Sequence, residues 1–520
     1  MTEKPETELL VIGGGSTGAG VAWDAARRGL HVTLVDRGDL ATGTTGRFHG
    51  LLHSGGRYVV KDPDSARECA SENRILRRIA ADCIEDTGGL FLTTPIDDPA
   101  YADRFLAGCV EADMPVEELP VSEALRREPL LNPKISRAFA VEDAAIDAWK
   151  TVWACVRGAA ALGAWILPYH EVLNLRVEGD AVVGATLRNS VSGAEVEIRA
   201  QCTVNAAGAW TGQIAKLAGC HVGVVPGKGV MVAMNHRLVN TVVNRCTMPG
   251  DGDIIVPIRT VCVIGTTDVP VEDPDQIAPT AADVAQMMEA GEALVPGFSQ
   301  ARALRTWAGA RPLFPKGDAS GKVQDTRDVT RSHSVIKHAQ VDGVARLISI
   351  TGGKFTTFRL MAQDAVDAVC AELQVAATCT TAEVALPDSE GHRFYWLGAR
   401  QESMEENVHN DAVICECELV SQGDLRAAAA RRPEQQLDDL RRSLRLGMGP
   451  CQGGFCAYRA AGLLHHDNYY DRGQANHALG SFVQERWKGQ QMVLWGQQLR
   501  QSRLDTWIFQ GVLDLEHIPA

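Results

Sequence analysis

The stretch Glu8-Leu9-Leu10-Val11-Ile12-Gly13-Gly14-Gly15-Ser16-Thr17-Gly18, carried on through Arg28-Gly29 to His31-Val32-Thr33-Leu34-Val35-Asp36, decides the fold. Residues 8 to 12 form a short apolar run that ends at glycines and reads as a buried strand. Ser16 to Arg28 has helical period and stops at Gly29, and His31 to Val35 is a second strand. Between the first strand and the helix, Gly13, Gly15 and Gly18 spell G-x-G-x-x-G, and Asp36 lies 18 residues beyond Gly18. The glycines allow a tight turn and close approach of backbone to a pyrophosphate. Amide donors and the dipole at the helix N-terminus, around Ser16 and Thr17, favour that anion, and Asp36 is placed to accept bonds from ribose hydroxyls. The pattern predicts a βαβ dinucleotide-binding unit, and by itself it does not separate NAD from FAD.

The rest of the chain is long enough for about three domains at ~150 residues each. Of its 520 residues 45% are hydrophobic and 22% charged, which excludes disorder, collagen and membrane-spanning architectures. A net charge of −14 argues against a nucleic-acid partner, while leaving room for a small anion in a local cationic pocket. Residues 1 to 8 are polar with acids among them, no window of 18 apolar residues exists, and Arg27-Arg28 falls inside a helix. Those features predict neither a signal peptide nor a transmembrane helix, hence a cytoplasmic chain whose membrane contact is at most peripheral.

Ser65-x-x-Glu68 has the form of a capping box opening an amphipathic helix over 62–82. Helical period also marks 151–162, 280–294 and 355–373, whereas 164–204 and 253–267 read as short strands and a hairpin. The alternation predicts an α/β body interleaved with an antiparallel β part over 1–380, the second part at roughly 85–200 and 220–345. A linker over 381–411, a small cysteine-bearing domain over 412–465 and a helical tail over 466–520 follow. Ten of the 14 cysteines are scattered singly and read as reduced core thiols in a chain too long to need disulfide staples.

No second G-x-G-x-x-G is present, so the substrate itself is expected to reduce the bound cofactor. Ala41-Thr42-Gly43-Thr44-Thr45-Gly46, Val204 to Trp210 and Thr351-Gly352-Gly353-Lys354, with Gly265-Thr266-Thr267-Asp268 and Ala308 to Leu313, resemble the FAD-dependent glycerol-3-phosphate dehydrogenases. His49 to Gly55, Ser65 to Asn73, Cys415-Glu416-Cys417-Glu418, Gly447 to Cys456 and Glu485 to Gly489 bring the chain closer still to the A subunits of the anaerobic enzymes. The likeness spans nearly the whole chain and is poorest over 381–411. It implies an FAD-binding Rossmann-like domain interleaved with an antiparallel β-sheet substrate domain, plus a small helical C-terminal [2Fe–2S] domain. It implies FAD held by Gly13, Gly15, Ser16, Thr17, Gly18, Asp36, Thr42, Thr44, Thr45, Gly46, Ala207, Gly208, Trp210, Gly352, Gly353 and Lys354. The activity implied is oxidation of sn-glycerol 3-phosphate to dihydroxyacetone phosphate. Electrons would pass to the B and C subunits of a membrane-associated assembly and on to a quinone, with this chain peripheral on the inner face of the membrane.

Oxidising a secondary alcohol with a flavin requires a proton acceptor, cations for a phosphate dianion, and charge that favours the reduced cofactor. The resemblance places His53 near the reacting hydroxyl and Arg57, Arg311 and Arg327 on the phosphate, guanidinium forks being suited to it. Lys354 would lie by the flavin or reach substrate, and Asp268 would face substrate or orient an arginine. His53 also reads as a loop histidine bonded to backbone, Arg57 as a surface ion pair, and Lys354 as an exposed lysine at a helix start. The same arginines would suit a carboxylate, so a 2-hydroxy or 2-amino acid stays open as substrate. Lys228-Gly229 is followed by Val230-Met231, which offers no second histidine there. Cys415-x-Cys417 and, after 33 intervening residues, Cys451-x4-Cys456 supply four thiolates in two close pairs. They suit a [2Fe–2S] cluster, with structural zinc as the lesser alternative. Trp487, Trp495 and Trp507 mark the tail as a packing or docking element.

Overall fold

The computed structural model describes residues 6–315, 326–406, 411–432 and 435–517. The ends of the polar N-terminus and of the tail, and positions 407–410 of the expected linker, lie outside them. The strand β1 (Glu6–Ile12), the helix α1 (Ser16–Arg27) and the strand β2 (Val32–Val35) form the predicted βαβ unit. Both strands are apolar on both faces because helices cover them, as parallel sheets require. β1 pairs in parallel with β2 on one side and with the end of Glu195–Asn205 on the other. Trp165–Leu167 extends the parallel set beyond β2, and Leu347–Gly352 extends it beyond Glu195–Asn205. All five strands point their carboxyl ends the same way, so the glycine turn, Asp36, Ala206–Gly208 and Gly352–Gly353 share one rim.

A second sheet of nine strands stands over that rim. Its centre is the long antiparallel pair Val225–Asn235 with Ala303–Leu313, flanked by the hairpin Ile254–Ile258 and Val261–Gly265. The hairpin 165–205 does not belong here. Its strands continue the dinucleotide sheet instead, because the last of them must run back parallel to β1. The second sheet therefore draws its strands from 89–141 and 225–313, and those of 165–205 lie outside it.

The helix α2 (Pro63–Ile79) starts earlier than the Ser65-x-x-Glu68 pattern implies. Asp62 is its cap, accepting from the Ser65 amide at 3.2 Å, and proline occupies the first turn. The helix expected over 151–162 likewise begins early, at Ala148, where Asp147 accepts from the Lys150 amide at 3.0 Å. Residues 381–396 lie along the body: Leu386 is fully buried, and the Leu386 and Tyr395 amides donate to the carbonyls of Ile79 and Ile84, each at 2.7 Å. A helix, Leu397–Glu406, follows. The C-terminal part is one helical unit whose core joins Leu425, Leu440 and Leu464 to Phe482 and Phe509 of the tail. Among the described residues no helix is long and apolar enough to cross a membrane.

Candidate active site and cysteine centre

A cleft of about 1030 Å³ opens along the carboxyl rim of the parallel strands and under the second sheet. Gly13 turns at φ +108°, and a Cβ there would meet the Ala206 carbonyl oxygen at 2.6 Å. α1 has no side-chain cap and no acid in its first turn, so its N-terminal amides face the cleft uncompensated. The Ser16 amide donates to Thr45 Oγ1 at 3.0 Å, which ties the helix start to the threonine loop. Asp36 accepts from the amides of Gly14 at 2.7 Å and Gly38 at 2.9 Å, and burial pushes its carboxyl up to about 6.

Thr42, Thr44, Ala207, Gly208, Trp210, Gly352 and Gly353 line the same cleft. Trp210 is fixed by its Nε1, which donates to Asp275 at 2.9 Å, and by the Arg37 guanidinium 4.6 Å from its ring. Gly18 and Gly46 do not line it. They stand behind the wall, where a Cβ would strike the Gly13 carbonyl oxygen at 1.8 Å and the Ala41 carbonyl oxygen at 2.1 Å respectively. Their part is close packing of backbone, which contact with a cofactor does not require.

Beyond this cradle His53, Arg57, Asp268, Arg311, Arg327 and Lys354 all border the cleft. His53 is tied to the scaffold by its backbone: its amide donates to Thr356 Oγ1 and its carbonyl accepts from Asn73, both at 3.0 Å. Burial, with His49, Arg57 and Lys354 close by, drives the ring well below its ordinary pKa, so it is a neutral base. Arg57 pairs with Asp253 at 2.7 Å, Arg327 with Asp251 at 2.6 Å, and Arg311 with Asp268 at 3.0 Å. Arg311 also donates to the Thr267 carbonyl at 2.9 Å. The left-handed turns of Gly352 and Gly353 aim Lys354 across the Tyr58 ring, 5.0 Å from its centre.

Four further residues line or support the cleft beyond the expected site residues, and of these His49 lies within the stretch His49 to Gly55. His49 stands 6.2 Å from His53 on the same side of a short strand, and burial lowers its pKa to about 3. The alternation His49-Gly50-Leu51-Leu52-His53 carries that signal. Tyr58 and Arg331 also line the cleft, and Asp253 supports Arg57 from behind.

The four cysteines of the C-terminal unit converge as two loops. Cys417 and Cys451 are 3.9 Å apart, and Cys451 and Cys415 each contact Cys456. Besides those sulfur contacts, amides of Gly453 and Phe455 approach Cys451, and those of Gly447 and Glu418 approach Cys415. Gly449 is obligatory, since a Cβ there would lie 2.2 Å from the Cys417 Cβ. Among the described residues no three of these sulfurs lie within 4.8 Å of one another. Four thiolates on one zinc at about 2.3 Å would all fall within about 3.8 Å, so the spread suits a two-iron cluster better.

The comparisons with known proteins find a family match over each of the two regions. Residues 8–367 match the FAD dependent oxidoreductase family, and residues 413–466 match the BFD-like [2Fe-2S] binding domain. The chain is 42% identical to the A subunit of the anaerobic glycerol-3-phosphate dehydrogenase of Escherichia coli K12, over 99% of this chain and 98% of that one. It is also 42% identical to the A1 subunit of the Haloferax volcanii enzyme, over 99% of this chain and 92% of the other. In fold it is similar to the FAD-complexed glycerol-3-phosphate dehydrogenase of Bacillus halodurans, with a TM-score of 0.60 at 22% identity, covering 99% of this chain and 95% of that one. The cofactors of the chain are thus FAD and a [2Fe–2S] cluster. With fold, cradle, cysteine centre and full-length likeness in agreement, the chain belongs to the family of anaerobic glycerol-3-phosphate dehydrogenase A subunits.

Proposed function

We propose that this chain is the catalytic subunit of a dehydrogenase that oxidises sn-glycerol 3-phosphate to dihydroxyacetone phosphate. The reading includes delivery of electrons through B and C partner subunits to a quinone, with the chain peripheral on the inner membrane face. The observation that carries it is the cluster of Arg57, Arg311, Arg327 and Lys354 on one cleft, next to a neutral histidine and a dinucleotide cradle.

A bound FAD would supply the hydride acceptor for oxidation of the carbinol carbon. The chain's own part is electrostatic and positional. Arg57, Arg311 and Arg327 hold the phosphate, and the carboxylates behind them keep their forks oriented before substrate arrives. His53 receives the hydroxyl proton. Burial, and after it the cations around the ring, depress its basicity in the empty cleft, and a phosphate dianion would offset the cationic part and so raise the basicity as the substrate docks. Lys354 adds a further cation beside Tyr58 and His53 on the same cleft.

The test is anaerobic titration of the visible flavin band with glycerol 3-phosphate, glycerol and a 2-hydroxy acid in separate cuvettes. Bleaching by glycerol 3-phosphate alone is expected; bleaching by the hydroxy acid alone sinks the reading.

A further inference from the structure

The loop 449–455, which carries Cys451, is bracketed by two arginines from different parts of the chain. Arg302 belongs to the flavin body, one residue ahead of the long strand Ala303–Leu313, and its Nη2 donates to the Pro450 carbonyl at 2.7 Å. Arg486 belongs to the tail helix Arg472–Lys488 and is buried; its Nε donates to the Gln452 carbonyl at 3.4 Å and its Nη2 to the Gln452 side chain. Arg302 has two further acceptors, the amide oxygens of Gln501 and Asn235, each at 3.4 Å. Every acceptor of both guanidiniums among the described residues is thus a neutral oxygen. Arg459 and Arg445 of the same unit are instead paired, with Glu416 at 2.7 Å and with Glu418 at 2.9 Å. One carboxylate, Asp505, also lies against the loop, where a Cβ on Gly454 would meet its Oδ1 at 2.6 Å. Two cations against one anion leave a positive surplus beside the cysteines.

The two accepting carbonyls belong to peptides whose N–H ends meet sulfur. The Pro450 carbonyl shares a peptide with the Cys451 amide, which approaches Cys417. The Gln452 carbonyl shares one with the Gly453 amide, which approaches Cys451. A cation on the carbonyl end of a peptide polarises it and strengthens the donor at the other end. Each arginine therefore acts on a sulfur through one peptide, as well as through space. An unpaired guanidinium drawn out of water is unfavourable, and Arg302 Nε is buried without a partner. That penalty is offset where the neighbour is an anion. Four thiolates around a two-iron core are one, and reduction adds a further negative charge.

We propose that Arg302 and Arg486 are positioning residues for electron transfer, holding the cluster's reduction potential up so that it accepts electrons from the flavin body. The inference rests on the cluster and not on the identity of the substrate. A neighbouring cation and strengthened N–H donors favour the reduced centre, the more negative one, over the oxidised centre. Because Arg302 is supplied by the flavin body, part of the cluster's potential is set by the contact between the two units.

The experiment is a redox titration of the intact chain with dithionite and mediator dyes. The reduced cluster is read by its low-temperature EPR signal and the flavin by its visible band. Arg302→Gln is expected to cut the ratio of reduced to oxidised cluster at a given potential about tenfold, a fall of about 59 mV for a one-electron couple. Arg486→Gln should shift it in the same direction. Arg302→Lys, which keeps the charge, should stay within about threefold of wild type. Asp505→Asn removes the opposing charge and should move the ratio the other way, which a general loosening of the loop would not do. The flavin midpoint should hold in all of them, since none of the three residues lines the cleft. If Arg486→Gln or Arg302→Gln fails to keep the cluster, Arg302→Met, which fills the same space without charge, carries the test. A cluster midpoint equal to or above that of wild type in the neutral Arg302 variants overturns the proposal. An equal fall in Arg302→Lys does so too, since it removes charge as the cause. A wild-type chain without the EPR signal of a reduced cluster removes the group on which the inference rests.

Discussion

His49 and His53 sit in the cleft wall as buried neutral rings. Their folded pKa values lie below the ordinary 6.5, about 3 for His49, so below pH 6.5 the unfolded chain binds protons that the folded chain refuses. Stability is therefore fully present above that pH and is lost as the pH falls towards the folded values. Thermal unfolding between about pH 7.5 and pH 5 should show a falling midpoint, and the double change His49→Asn with His53→Asn should flatten that slope. Asp36 has the opposite sign. Its carboxyl is raised to about 6, so in the flavin-free chain it contributes stability only when protonated, and that contribution disappears as the pH rises through 6. FAD binding needs the carboxylate as acceptor. Affinity for FAD should thus decline below about pH 6, and Asp36→Asn should weaken it by roughly tenfold or more with no such decline, as read by flavin retention on ultrafiltration.

At the scale of elements, the strand-glycine-helix unit is legible in the sequence because local chemistry alone fixes it: a turn without Cβ, a helix stop at Gly29, an acid at the second strand end. The helix expected over 62–82 starts at Pro63 with Asp62 and not Ser65 as its cap, and the helix expected over 151–162 starts at Ala148, because Asp147 caps from a loop that carries no periodicity. The hairpin 165–205 joins the dinucleotide sheet and not the substrate sheet, a distinction that alternation does not carry: it shows that a strand exists and not which neighbour it pairs with. Arg331 is hidden in the sequence for a similar reason: only the fold brings it beside Asp268, 63 residues away in the chain. The cysteine loops are legible by spacing, and they yield a direct test. Gly449→Ala drives a methyl group into the Cys417 side chain, so it should abolish the cluster's visible absorbance while FAD content is kept. Cys451→Ser should do the same, and iron analysis of the wild type should find two irons per chain, where zinc would remove the cluster assignment.

Across the whole molecule the cysteine unit is fastened to the flavin body through buried charge. Asp39, fully buried, accepts from Arg442 at 2.9 Å and from Arg432 at 3.2 Å, and Tyr169 donates to Asp439 at 2.5 Å. A second knot joins Glu418 to Arg445 at 2.9 Å and to the body's Arg259 at 3.4 Å. Removing one partner from such a pair leaves a charge stranded away from water, at a cost of about 3–5 kcal/mol. Arg442→Met should accordingly lower the urea midpoint and open the stretch between Leu386 and the cysteine unit to protease. A variant as stable as wild type and equally resistant would show that the knot holds nothing.

Asp39 stands three residues beyond Asp36, on a loop whose residues Asp36, Arg37 and Gly38 line the cleft. One short loop therefore faces the cleft on one side and is gripped by the cysteine unit on the other. Truncation ahead of the cysteines would not yield a working half, because it would bare a carboxylate whose two counter-cations had gone with the deleted piece. A lineage that dispensed with the cysteine unit would have to replace Asp39 in the same step, so an uncharged residue at this position is the expected scar of such a loss.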